Sequence, residues 1–254
     1  MRKIIKILIL GGIHEAKRLA AKLTTLPKVE IVYSLAGKTL NPNIPDCKIR
    51  TGGFGGENGL SSYIKNLKFD LVIDATHPFA TQIASNAYIS CKKTNTTYIK
   101  LCRKPWKPGI ITWQSAKNFE DAKKKLMRMG SRVFLTSGTK GIQNFILLEN
   151  KWFLIRLIEW PSSLPSLENF EIILDRGPFG HLKELELLEN HRINTIVTKN
   201  SGGIFPAKLE ASHKLGIPIL MIEQPAPPRG TLLYSLEETI NWLNKRFNLN
   251  HTID

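Results

Sequence analysis

Cysteine is scarce in this 254-residue chain, and Cys47, Cys91 and Cys102 form no Cys-x-x-Cys pair. An odd, scattered set of thiols excludes a disulfide framework and a zinc ribbon. Metal-ligand spacing is missing among the six histidines as well. His14-Glu15 opens an H-E-x-x-H pattern, but Arg18 stands where the second histidine belongs. No metal is therefore expected. Long apolar runs are also lacking, since none approaches the roughly 20 residues of a membrane helix. The N-terminal Met1-Arg2-Lys3-Ile4-Ile5 only imitates a secretory signal: Lys6 interrupts it, and charged Glu15-Ala16-Lys17-Arg18 follows without a cleavage site. These absences lead us to expect a cytoplasmic protein with no membrane partner. A G-x-S-x-G elbow and a G-x-x-x-x-G-K-[ST] loop are missing too, which removes support for hydrolase or P-loop chemistry.

Acidic residues are outnumbered, 21 against 36 Lys and Arg, for a formal charge of +15. Three origins compete: codon bias toward Lys, Asn and Ile, an anionic small ligand, and nucleic acid. The basic residues are dispersed, and the one dense run, Lys123-Lys124-Lys125, falls in an amphipathic segment. No helix-turn-helix, zinc finger or aromatic RNA-binding signature accompanies them, so no nucleic-acid partner is expected.

What is present is an alternation of apolar runs with segments of helical period. Strands are expected at Ile4–Leu10, Val29–Ser34, Lys48–Thr51, Leu71–Asp74 and Thr97–Leu101, with helices at Ile13–Thr25, Gly59–Asn66 and Phe79–Lys92. The stretch RKPWKPG, residues 103–109, reads as a linker. A second series follows, with strands at Arg132–Thr136, Trp152–Ile158, Glu171–Leu174, Thr195–Thr198 and Ile217–Ile222. Its helices are expected at Ala116–Met129, Gly141–Glu149, Leu182–His191, Ala207–Leu215 and Leu236–Phe247. Such alternation predicts an α/β protein of two Rossmann-like domains, residues 1–105 and 106–254, with parallel sheets and a ligand cleft between them.

Unusual small and polar sequences recur at the carboxyl ends of the expected strands, where parallel sheets place their functional loops. Gly11-Gly12-Ile13-His14-Glu15 follows the first strand and Ser34-Leu35-Ala36-Gly37-Lys38 the second. Later come Asp74-Ala75-Thr76-His77-Pro78, Thr136-Ser137-Gly138-Thr139-Lys140-Gly141 and Thr198-Lys199-Asn200-Ser201-Gly202-Gly203. The first loop lacks the third glycine of G-x-G-x-x-G, and Ala16 is small enough to take its packing role. Gly11 and Gly12 permit positive φ and close approach of a phosphate to backbone amides. An NAD site shows an acid about 20 residues after its glycines. Here Ser34 and Lys38 stand instead, which favours NADP, although Lys38 reads equally as a solvated lysine. Thr76 or His77 either caps the helix that Pro78 begins or, in the case of His77, lies by a nicotinamide and supplies a proton. The Lys199 and Lys140 loops have the composition of amide nests for carboxylates.

Taken together, ILILGGIHEAKRLA, SLAGKT.NP, GGFGGENGL, DATHPFA, VFLTSGTKG, WFLIR, RGPF and VTKNSGG.....KLEA resemble, in order, the precorrin-6A reductases of cobalamin biosynthesis. The resemblance covers about residues 7 to 230. It implies hydride transfer from NADPH, with NADH as the alternative, to a ring double bond of precorrin-6A or its cobalt form, giving precorrin-6B. It implies cofactor contacts at Gly11, Gly12, Ile13, Glu15, Ser34, Gly37, Lys38, Gly52, Gly53, Phe54, Thr76, His77 and Pro78. It implies substrate contacts at Ser137, Gly138, Lys140, Lys199, Asn200, Ser201 and Gly202, with His77 and Lys199 as candidates for catalysis. The chain departs from the family pattern at Ile13, where Thr is common, and at Lys38, where Arg is common. The competing readings are a non-catalytic basic nucleic-acid binder and a nucleotide-sugar-binding α/β protein. Oligomeric state is not legible.

Overall fold

The computed structural model describes residues 4–37, 46–145, 148–161 and 169–249. Two compact units emerge, one of residues 1–104 with 225–254 and one of residues 105–224.

In the first unit, β1 (Ile5–Gly11), β2 (Val29–Leu35), β3 (Lys48–Thr51), β4 (Leu71–Ala75) and β5 (Thr97–Leu101) alternate with α1 (His14–Thr24), α2 (Gly56–Leu67) and α3 (Thr81–Thr94). With β12 (Thr231–Leu233) they form a six-stranded sheet in the order β12-β5-β4-β1-β2-β3, every pair parallel. The chain leaves β1 toward β2 and β3, then returns to build β4 and β5 on its other side. The crevice at β1 and β4 is thus the topological switch point, where doubly wound sheets hold ligands.

Burial explains why the strands form here. Ile7, Leu8, Ile9 and Leu10 are almost wholly buried, as a strand covered on both faces must be. Helix α1 turns Ala16, Leu19, Ala20 and Leu23 inward, one apolar stripe against β1, β2 and β4. Each buried leucine contributes about 1.5–3 kcal/mol. Leu60 and Ile64 of α2 and Ala87 and Cys91 of α3 cover the opposite face.

The second unit repeats the plan. It comprises β6 (Gln114–Ala116), α4 (Phe119–Leu126), β7 (Arg132–Leu135), α5 (Thr139–Ile142), β8 (Trp152–Leu157), β9 (Phe170–Leu174), α6 (His181–Asn190), β10 (Thr195–Lys199), α7 (Ala207–Lys214) and β11 (Ile219–Ile222). Its sheet runs β6-β11-β10-β7-β8-β9, again parallel throughout, with the switch at β7 and β10. Each sheet has the same five-strand core order. The sixth strand of the first comes from after the second unit, and that of the second from the segment before β7.

Four expectations need correction. The stretch 225–254 does not belong to the second unit: β12 pairs with β5, and Ile240 and Leu243 of α8 (Leu236–Phe247) enter the first core. The helix expected from Ala116 starts at Phe119, because Ala116 pairs with Ile222 and the Asn118 side chain caps α4 by accepting from the Asp121 amide at 2.9 Å. The helix expected over 141–149 shrinks to α5, beyond which Asn144, Phe145 and Leu148 donate to carbonyls only three residues back. The helix expected from Phe79 begins at Thr81. No described helix is long and apolar enough to cross a membrane.

Candidate functional site

The turn from β1 to α1 is built by close packing. A Cβ on Gly11 would stand 2.4–2.8 Å from the Tyr33 ring and hydroxyl, and one on Gly12 would stand 2.9 Å from the Thr76 Cα and the His77 amide nitrogen. Neither glycine has positive φ, so contact distance and not handedness requires them. Gly12 consequently presses its backbone onto the β4 loop. Ile13 sends its side chain into the core and donates its amide to the Ala75 carbonyl at 3.2 Å, so its one donor is engaged. As N-cap it brings no side-chain acceptor to α1, an arrangement that leaves the helix N-terminus suited to an anion.

Glu15, in the first turn of α1, binds Arg103 through both its oxygens. Arg103 Nε lies 3.1 and 3.0 Å from the two oxygens, and Nη2 lies 2.7 Å from the second. Burial pushes the Glu15 carboxyl up, but the Arg103 hydrogen bonds, its own amide and the charges of Arg103 and His14 together bring it below the ordinary carboxylate range. Its negative charge beside the turn is thereby matched.

Below the same loop lies a buried acid. Asp74, fully buried at the end of β4, accepts at Oδ1 from the Thr76 amide (3.0 Å) and hydroxyl (2.6 Å). At Oδ2 it accepts from the Tyr98 hydroxyl (2.9 Å) and the Lys100 ammonium (2.8 Å). Burial, then the charge of Asp74 and its hydrogen bond, push the Tyr98 hydroxyl far up, so it remains a donor. These bonds hold the Thr76-His77-Pro78 backbone against Gly12. His77 is half-buried, and its Nδ1 accepts from the Phe79 amide at 3.3 Å, which makes the neutral ring the Nε2–H tautomer. Neither Thr76 nor His77 caps α3, whose N-cap is Ala80.

At the ends of β2 and β3, Ser34 pairs in register with Arg50. The Arg50 guanidinium lies over the Phe54 ring, 3.6 Å from its centroid, with Nη1 3.5 Å from Ser34 Oγ. It also donates to the Gly52 and Gly53 carbonyls at 2.5 and 2.6 Å. Ser34, Gly52, Gly53 and Phe54 are therefore brought together around Arg50, with Gly37 beside Gly52, and Gly37 and Gly52 have positive φ. Lys38 lies outside the described residues, as does the side chain of Lys140.

In the second unit, Ser137 and Gly138 follow β7 at the switch point, and Lys199 ends β10. A Cβ on Gly138 would stand 3.8 Å from Lys199 Nζ, so the two expected residues adjoin. Asn200 differs from expectation. It is fully buried, its Oδ1 accepts from the Trp106 amide (2.8 Å), and its Nδ2 donates to the Trp106 carbonyl (2.9 Å) and Glu223 (3.4 Å). Its amide thus ties down the entry strap of the unit and is spent on protein. Ser201 Oγ lies 3.5 Å from the Lys199 carbonyl, and Gly202 has positive φ.

Sequence reasoning missed Arg50, Tyr98, Lys100 and Arg103, which hold these loops. The Asp74 and Lys100 signal was readable: each is a charge inside a run otherwise apolar enough for a buried strand, and neighbouring parallel strands set them in register. The Glu15–Arg103 contact spans 88 residues and leaves no local trace.

Comparison with known proteins accounts for nearly the whole chain. The family described as precorrin-6x reductase CbiJ/CobK matches residues 6–244. A precorrin-6A reductase of Rhodococcus erythropolis is 43% identical, over 89% of this chain and 92% of its own. That of Mycobacterium tuberculosis is 42% identical, over 89% and 91%. A solved structure titled CobK precorrin-6A reductase superposes with a TM-score of 0.85 at 34% identity, covering 95% of this chain and 97% of that one. Shared sequence and shared fold thus span both units and every loop named above, and the chain belongs to the precorrin-6x reductase family.

Proposed function

We propose that the protein reduces precorrin-6A to precorrin-6B with NADPH. The observation that carries this reading is the 43% identity, over nine-tenths of both chains, to a relative named for that reaction. Relatives named for the cobalt-containing form are also similar, but at 26–28% identity, which favours the metal-free substrate. Bound at the first switch point, the nicotinamide cofactor would supply the hydride to a ring double bond, and a proton from the protein or solvent would complete the addition.

The residues present fit such a cofactor. Gly11 and Gly12 leave no side chain over the β1–α1 turn, and α1 lacks a side-chain cap that would compete with a phosphate. Arg103 offsets the Glu15 carboxylate that would otherwise repel it. At the adenosine end, Ser34 and Arg50 occupy the register where an NAD site carries an acid, which supports NADPH. Thr76, His77 and Pro78, braced by Asp74, are assigned to the nicotinamide side. His77 and Lys199 are the side chains assigned to proton delivery, His77 through Nε2. Ser137, Gly138, Lys199, Ser201 and Gly202 are assigned to the tetrapyrrole. Work in the cytoplasm, where free thiols persist, accords with the three unpaired cysteines.

Absorbance at the nicotinamide band tests the reading, using precorrin-6A and its cobalt form with NADPH and NADH. Oxidation of NADPH by the metal-free substrate is expected to exceed the other three combinations. Absence of oxidation with either substrate would overturn the proposal.

A further inference from the structure

Tyr33 is the largest of the wholly buried side chains among the described residues, and its hydroxyl has been given no role. On β2 it pairs in register with Ile9, two residues before the end of β1. The ring leans along the strands toward their carboxyl edge and lies against Gly11, where a Cβ would overlap the hydroxyl oxygen and the carbon that bears it. Tyr33 also shares its core with Ile13 of the turn and Ala16 of α1. The hydroxyl is thereby delivered to the junction of β1 and α1, where Ile13 brings the helix no side-chain cap.

Packing alone does not account for a tyrosine here. Phenylalanine fills nearly the same volume, and a hydroxyl taken out of water without a partner costs about 1–3 kcal/mol. The Tyr33 hydroxyl has no hydrogen-bond partner among the described residues. Tyr98, a half-buried tyrosine of the same unit, shows the contrast: its hydroxyl is spent on Asp74 at 2.9 Å. Burial, then the charge of Cys47, pushes the Tyr33 hydroxyl up to about 12, so it keeps its proton and remains a donor at neutral pH. A donor of this kind, beside an uncapped helix N-terminus, calls for an anionic acceptor.

We propose that the Tyr33 hydroxyl donates a hydrogen bond to a phosphate oxygen of the bound dinucleotide. The inference rests on the reading of the β1–α1 turn as the cofactor's phosphate site and adds a residue to that site. A phosphate close enough to bond the backbone of the turn comes within reach of a hydroxyl packed on Gly11. The glycine at 11 then has two tasks, since it admits the phosphate and makes room for the tyrosine that meets it.

Equilibrium titrations of the full-length protein with NADPH and with NADH test this, alongside urea denaturation of the ligand-free protein. Tyr33→Phe keeps the ring and removes only the hydroxyl. It is expected to weaken NADPH and NADH equally, by about tenfold, because both carry the same pyrophosphate. Ligand-free stability is expected to stay the same or rise, since an unpaired hydroxyl has left the interior. Tyr234→Phe removes a hydroxyl from an exposed site and is expected to change neither quantity. Five results overturn the proposal: NADPH affinity unchanged in Tyr33→Phe, a loss confined to NADPH, an equal loss in Tyr234→Phe, no NADPH binding by the wild type, or ligand-free Tyr33→Phe that is destabilised or unfolded. The last would show a hydroxyl satisfied within the protein. Failure of the reductase reading shows separately, as an absence of NADPH oxidation with precorrin-6A by a protein that still binds NADPH through Tyr33.

Discussion

Both units bury a charged pair near the carboxyl edge of a sheet, and the two pairs are finished to different degrees. In the first, Asp74 receives four donors from Thr76, Tyr98 and Lys100, so both of its oxygens are satisfied. In the second, Arg156 and Glu184 share one short contact, and each retains a buried atom with no partner among the described residues. A saturated network in low dielectric fixes one geometry. An unsaturated one costs stability unless something else completes it. The difference separates a brace, which fixes the loop above it, from a pair whose hydrogen bonding is left unfinished.

The largest effect should come from breaking the brace. Lys100→Met leaves Asp74 buried without its cation and is expected to cost about 3 kcal/mol, read from urea denaturation. The brace reading fails if stability is unchanged. Gly12→Ala strikes the loop that the brace supports: a Cβ at 2.9 Å from backbone atoms cannot be absorbed by rotating a side chain. A loss of about 2 kcal/mol is expected, with NADPH binding weakened as well.

The unfinished pair and its neighbour Lys208 should respond in the opposite direction. The folded-state pKa of Lys208, about 8, lies below its ordinary 10.5. Between those values the unfolded chain holds a proton that the folded chain lacks, so stability rises with pH across that window. Lys208→Met is expected to flatten the rise and to add about 1 kcal/mol at neutral pH. Thermal midpoints from pH 7 to 10 decide it, and equal slopes in both proteins would refute it. The smallest effect belongs to Glu15. Its lowered pKa means stabilisation present above the ordinary carboxylate value of 4.5 and lost as pH falls through the folded value. For this partly exposed pair, Glu15→Gln should cost about 0.5 kcal/mol at neutral pH and nothing in strong acid.

Legibility followed sequence distance. The alternation of apolar runs and helical stripes was readable because burial imprints period and length on contiguous residues, as in Ile7–Leu10 and in Ala16, Leu19, Ala20 and Leu23. β6 and β12 escaped notice because three residues carry no period, and their partners lie far along the chain. In the site, the glycines at 11 and 12 were readable as points of close approach, but what they approach, Tyr33 and Thr76-His77, was not. Asn200 was expected at the substrate because the family resemblance implied it. Only the fold reveals that both ends of its amide are occupied by Trp106, 94 residues away.

The return of β12 and α8 to the first unit also sets an order of assembly. Residues 105–224 hold every strand of their own sheet and can close as soon as they leave the ribosome. The first sheet, although translated earlier, must wait with the edge of β5 open and the places of Ile240 and Leu243 unfilled until the final elements emerge. Nascent chains halted after residue 224 should therefore resist protease across the second unit and remain open to it across the first. The unit begun first is completed last.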